Sequence, residues 1–122
     1  MWYNHIMKRE FVHLSDFDKQ WKELGLGDNE LAELQLALSE SPKSAPVIQG
    51  ASGVRKVRFA TKNRGKSASV RVLYVDLEKV CIVILISAYA KSEKENIEKD
   101  ETAKIKTLID KLKDVYSGGR YE

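Results

Sequence analysis

Three runs decide the fold: Val54-Arg55-Lys56-Val57-Arg58-Phe59, Ser69-Val70-Arg71-Val72-Leu73-Tyr74-Val75, and the stretch from Val80 to Ala88. Each reads as a β-strand, because β-branched and aromatic residues dominate and the first run alternates apolar with basic residues at a period of two. Thr61 to Ser67, rich in Lys, Asn and Gly, reads as a long hairpin tip, and Asp76 to Lys79 as a tight turn. The three strands therefore form a meander.

Upstream, the period changes to that of a helix. Glu10 to Leu14 reads as a strand, and Ser15 as a helix N-cap with Asp18 completing an approximate capping box. Phe17, Trp21 and Leu24 share one face of that helix, which Gly25 and Gly27 end. Asp28 is the expected cap of a second helix, with Leu31, Leu34 and Leu38 on one stripe and Ser41-Pro42 at its end. Downstream of Lys91, Ile105, Leu108, Ile109, Leu112, Val115 and Tyr116 form an apolar helical stripe that Gly118-Gly119 stops. The expected fold is one α+β domain over residues 1–122, in the order β-α-α-β-β-β-α, with a small antiparallel-rich sheet, an N-terminal helical hairpin and a C-terminal helix. Residues 1–6 read as a frayed or appended leader.

At 122 residues, 43% hydrophobic and 32% charged, the chain suits a single globular core rather than a disordered segment. Its single cysteine, Cys81, lies in an apolar run and is expected to behave as a small core residue, so no disulfide framework is expected. The N-terminus lacks the features of a secretory signal, and the longest apolar run, Val80 to Ala90, is eleven residues, about half of a membrane span. A cytoplasmic location without membrane contact is the expectation.

The net charge of +3 conceals a division. Residues 41 to 75 contain no acid and eight cations, namely Lys43, Arg55, Lys56, Arg58, Lys62, Arg64, Lys66 and Arg71; the rest of the chain carries thirteen basic and eighteen acidic residues. Such segregation offers a polyanion-binding face on an acidic body, or simply a solvated hairpin. Period two places Lys56 and Arg58 on one face, and pairing about a tip near residues 64 and 65 brings Arg71 nearly opposite Arg58. Like charges held so close repel, an arrangement that a bound anion relieves.

Other chemistries find little support. Ala60-Thr61-Lys62-Asn63-Arg64-Gly65-Lys66-Ser67 matches a loose phosphate-loop expression, but the residues that follow it form a strand, not the helix whose N-terminus holds phosphates. His5 and His13 lack carboxylates at ligand spacing, so no metal or other cofactor is called for. Neither histidine accompanies a plausible nucleophile, which leaves Lys, Arg and Tyr as the available reactive groups.

The string Ile48-Gln49-Gly50-Ala51-Ser52-Gly53-Val54-Arg55-Lys56-Val57-Arg58, with Arg64-Gly65-Lys66-Ser67, Arg71-Val72-Leu73-Tyr74 and Ala88-Tyr89-Ala90-Lys91-Ser92-Glu93-Lys94, resembles the HigB branch of the RelE/ParE toxin superfamily. The resemblance runs from Met7 to about Tyr116. It implies a type II toxin that enters the ribosomal A site and cleaves messenger RNA there without metal, restrained by a cognate helix-turn-helix antitoxin of the HigA kind. Through that antitoxin the complex would reach operator DNA. Family roles fall on Lys56, Arg58 and Arg71, and on an arginine position occupied here by Lys91. A tyrosine common in the RelE branch aligns near Ile97, and Tyr89 is the candidate to take part of its role, a buried aromatic packing on the C-terminal helix being the alternative. Lys56 is the candidate proton acceptor. Arg55, Lys62, Arg64, Lys66 and Lys94 are candidate RNA contacts. The competing functions are gyrase inhibition, as in the ParE branch, and nucleic-acid binding without catalysis.

Overall fold

The computed structural model describes residues 9–60, 69–90 and 99–117. Within them the elements are β1 (Glu10–His13), α1 (Ser15–Glu23), α2 (Asp28–Glu40), β2 (Arg55–Phe59), β3 (Val70–Leu77), β4 (Ile82–Ala90) and α3 (Lys99–Ser117), the order expected from sequence. The four strands make one mixed sheet, arranged β1-β4-β3-β2. β2, β3 and β4 are the antiparallel meander, and β1 joins the outer side of β4 in parallel, with Glu10 beside Ile82 and His13 beside Leu85.

The apolar density of β3 and β4 follows from their central position: both are covered on two faces, so six consecutive residues from Val70 to Val75 are buried. One face packs on the helical hairpin, in a core of Phe17, Trp21, Leu26, Leu34 and Leu38 against Val70, Val72, Tyr74, Val83, Leu85 and Ala88. Phe17 and Trp21 stack at 5.3 Å, and the Trp21 indole N–H, which needs a partner when buried, donates to the Gly27 carbonyl at 3.1 Å. The other face packs on α3, whose Ile105 and Ile109 meet Leu73, Val75, Ile84, Ile86 and Tyr89.

A bulge interrupts this meander. Leu73 pairs with Ser87 and Tyr74 with Leu85, which leaves Ile86 as the extra residue of β4. Side chains 83, 85 and 88 consequently face the hairpin, whereas 84, 86 and 89 face α3.

Local corrections to the sequence reading concern helix starts and the second turn. Ser15 is the first residue of α1, not its cap; Leu14 takes the cap position without a side-chain bond, and Asp18 instead engages His13 Nδ1 at 3.0 Å. α2 likewise starts at Asp28, with Gly27 before it and Glu30 Oε1 accepting from the Gly27 amide at 2.8 Å. β3 continues to Leu77, and a 3-10 turn over Glu78–Val80 leads into Cys81, half-buried and left-handed at φ 58°, so this thiol sits in a turn and not in the core. The α3 stripe divides too: Ile105 and Ile109 are buried, but Leu108, Val115 and Tyr116 are exposed, Val115 by 74%. The leader, the hairpin tip and Gly118-Gly119 lie outside the described residues. Among the described residues no helix is long and apolar enough to cross a membrane.

Candidate nucleic-acid interface

Strand register builds the site. Arg58 of β2 lies directly opposite Arg71 of β3, and Arg71 opposite Tyr89 of β4, forming one row across three strands. The adjacent row on the same face is Lys56, Leu73 and Ser87. Directly opposed residues stand about 5 Å apart at Cβ, so the expected convergence of Lys56, Arg58 and Arg71 is present. Leu73 and Tyr89 belong to the cluster that packs on α3, which assigns both rows to the α3 face of the sheet.

Burial grades along the rows. Arg58 is exposed, Lys56 is half-buried, and Arg71 is only 8% exposed. A guanidinium does not shed its proton in a protein, so Arg71 holds a permanent positive charge where water screens it little. Tyr89 is 5% exposed and packs with Ile105 and Ile109. Its ring is therefore a wall beside Arg71 and does not offer a bare face for a base to stack upon. The bulge decides this placement: without the extra Ile86, alternation along β4 would turn Tyr89 toward the hairpin.

Other cations of the basic stretch are directed elsewhere. Arg55 alternates to the opposite side from Lys56, and its Nη1 donates to the carbonyls of Lys43 at 2.9 Å and Ala45 at 2.7 Å, tying the 43–45 segment to β2. Lys43 pairs with Glu78, whose carboxyl is held below the usual range by that ammonium. Asp76, the first acid after the acid-free stretch, is taken up by Arg9 through bonds of 2.7 and 3.2 Å, with side chains 3% and 8% exposed respectively. This bond raises the affinity of Arg9 for its proton, against the opposing effect of burial. Sequence reasoning missed the pair because 67 positions separate its members. The two acids nearest the basic face in sequence are thus both occupied by cations. Lys62, Arg64, Lys66, Lys91, Lys94 and Ile97 lie outside the described residues.

His13 is engaged on both ring nitrogens, Nδ1 with Asp18 and Nε2 with Gln35 Nε2 at 2.9 Å, and its ring meets Phe17 edge-on at 5.6 Å. It knits β1 to the helical hairpin, as expected for a structural strand residue. Among the described residues no three His, Cys, Asp or Glu side chains gather as a metal site.

The architecture matches solved structures at low identity. An Escherichia coli RelE double mutant in the free state superposes with TM-score 0.54 at 20% identity, covering 73% of this chain and 90% of that one. The intact E. coli RelBE toxin-antitoxin complex gives 0.52 at 20% identity, covering 67% and 95%. The isolated E. coli RelE toxin gives 0.50 at 17%, covering 82% and 98%. At these identities the likeness establishes the fold. Family membership rests on the sequence itself, because residues 8–117 match the family model described as the RelE toxin of the RelE/RelB toxin-antitoxin system. With nearly its whole length matched, the chain belongs to the RelE toxin family.

Proposed function

We propose that this RelE-family chain is the toxin of a type II toxin-antitoxin pair, of the HigB-like branch, and acts as a ribosome-dependent endoribonuclease on messenger RNA. The observation that carries the reading is the cross-strand pair Arg58–Arg71 with Lys56 in the neighbouring row, three cations on one sheet face. Cleavage by the RNA's own 2′-hydroxyl requires a proton acceptor, positive charge around the five-coordinate phosphorus, and a proton donor for the leaving oxygen. Arg58 and Arg71 supply the charge as preorganised donors. Lys56 is the proton acceptor, and Lys91, following the final strand, serves the leaving group. Tyr89 holds Arg71 from the side. Lys62, Arg64, Lys66 and Lys94 grip RNA backbone, and Arg55 supports them by fixing the base of β2. None of these roles calls for a metal ion.

The partner is an antitoxin with a helix-turn-helix domain, HigA-like, which also carries the complex to operator DNA; the RelBE complex among the structural neighbours supports an antitoxin partner. The site of action is the cytoplasmic ribosome. Cleavage of ribosome-bound messenger by the Lys56→Ala and Arg71→Ala variants tests the assignment. Loss of cleavage in both with ribosome binding retained is expected, and near wild-type rates in both would end it. Inhibition of gyrase supercoiling with translation untouched would instead favour a ParE-like toxin.

A further inference from the structure

The loop before β2 is unusual in its backbone. Gly50, Ser52 and Gly53 all have positive φ, at 81°, 56° and 89°. A left-handed glycine costs little, but Ser52 carries a Cβ and persists there only where its surroundings enforce it. Three backbone bonds close the loop on itself: Ile48 N–H to the Val54 carbonyl at 2.8 Å, Val54 N–H to Ala51 at 3.2 Å, and Ala51 N–H to Ile48 at 3.3 Å. Two further bonds come from α3. The Ser52 hydroxyl donates to Asp110 Oδ1 at 2.6 Å, and Lys113 Nζ donates to the Ser52 carbonyl at 3.0 Å.

We infer that Ser52 and Asp110 are positioning residues for the cation row: their hydrogen bond pins α3 to the loop that aims Lys56 and Arg58. This rests on the reading of that row as the RNA-cleaving site. Among the described residues β2 is an edge strand, paired with β3. Its other side is tied at its start by the Val47–Arg55 bridge and the Lys56 amide donating to the Pro46 carbonyl at 3.0 Å. Lys56 lies four residues beyond Ser52, past a fully buried Val54. The clamp and the cations occupy the same face of the sheet, so the Ser52–Asp110 bond sets the separation between α3 and the strand bearing Lys56. Ser52 is the only residue of the loop tied by its side chain to α3 among the described hydrogen bonds.

Asp110 is exposed, and its side chain is bonded to Ser52 and, through its other oxygen, to Lys106 at 2.8 Å, so replacing it leaves the chemistry's own groups in place. The experiment compares Asp110→Ala, Asp110→Asn and Thr107→Ala, the last on the exposed side of the same helix. In single-turnover cleavage of ribosome-bound messenger, Asp110→Ala should lower the rate roughly tenfold to a hundredfold, as sub-ångström misplacement of reacting groups does, with half-saturation unchanged. Asp110→Asn, which still accepts from Ser52, should restore it, and Thr107→Ala should match wild type. Amide hydrogen exchange gives a second measure that needs no activity: the Lys56 amide should exchange faster in Asp110→Ala and not in the other two. Unchanged Lys56 exchange in Asp110→Ala overturns the inference, as does a rate loss shared by Asp110→Asn. Should the wild-type chain cleave no messenger, the nuclease reading fails while the exchange comparison still decides the clamp.

Discussion

The two faces of the sheet are built from the same strands and serve opposite ends. The hairpin face has an apolar centre, with Phe17, Trp21, Leu34 and Leu38 covering Val70, Val72 and Tyr74 without a charged residue in the buried cluster. The α3 face begins in the same way, at Leu77, Ile84 and Val75, and then changes along β2 and β3 to Lys56, Arg58 and Arg71. A face covered along its whole length stabilises the fold. A face that runs from apolar side chains into a row of cations gives up part of that uniform packing. Substitutions on the two faces should therefore separate stability from activity.

The largest effect is expected on the covered face. Phe17 is fully buried between Trp21 and the sheet. Phe17→Ala removes its transfer free energy and leaves a cavity, a loss of about 3–5 kcal/mol in denaturant unfolding. Cleavage per folded molecule should be unchanged, since the ring contributes nothing to the other face. Arg58→Ala should invert this. Its side chain is exposed, so unfolding should shift by less than about 0.5 kcal/mol. Removing one preorganised charge from the reacting phosphate should cost about 10²–10³-fold in cleavage rate, the range seen when one such donor is deleted. Parallel losses of stability and activity in either variant would erase the distinction between the faces.

How much of this contrast the sequence disclosed depends on whether a pairing is local. Arg58 opposite Arg71 follows from a hairpin folding symmetrically about its tip, and alternation then puts Lys56 beside them. The bulge at Ile86 was not legible. β4 is buried on both faces, so Ile82 to Ala90 is apolar nearly throughout and no alternation exists for the extra residue to break. For the same reason the sequence left Tyr89 open between a role at the site and packing on the C-terminal helix, and the structure places it in the cluster with Ile105 and Ile109. Arg55 looked like one more cation of the patch. Its engagement with the Lys43 and Ala45 carbonyls depends on the path of the chain between α2 and β2, for which no periodic signal exists.

Tyr74 adds a polar test to the hairpin face. Its hydroxyl donates to the Pro42 carbonyl at 2.8 Å, and burial pushes the phenol above its usual value, with the Arg55 charge opposing. A phenol whose folded value is raised contributes stability in full below the unfolded value, about pH 10, and loses it as pH rises through the folded value. Tyr74→Phe should cost about 1 kcal/mol at neutral pH, the net worth of one hydrogen bond. Its unfolding free energy should also fall less steeply than that of wild type above pH 10. An identical alkaline limb in both proteins would mean that Tyr74 does not carry this dependence.

The smallest effect concerns the hairpin face's outer boundary, where sequence and structure disagree. A serine that caps a helix contributes about 1 kcal/mol through its side-chain oxygen. Ser15 fits that role by residue type, yet Leu14 holds the cap position without any side-chain bond and Ser15 is exposed within the first turn. Asp18, which a capping box would direct back to the Ser15 amide, is engaged with His13, where it supports the edge of the Phe17 cluster. Ser15→Ala should therefore change unfolding by less than about 0.5 kcal/mol, within the range of ordinary surface substitutions. Asp18→Ala should cost more than Ser15→Ala, because it releases His13 from its Nδ1 partner on the covered face. The reverse order would restore the capping box and place the start of α1 one residue later. Since Phe17 meets the sheet from that first turn and Trp21 from the next, the register of the whole hairpin face depends on which of these two polar residues anchors it.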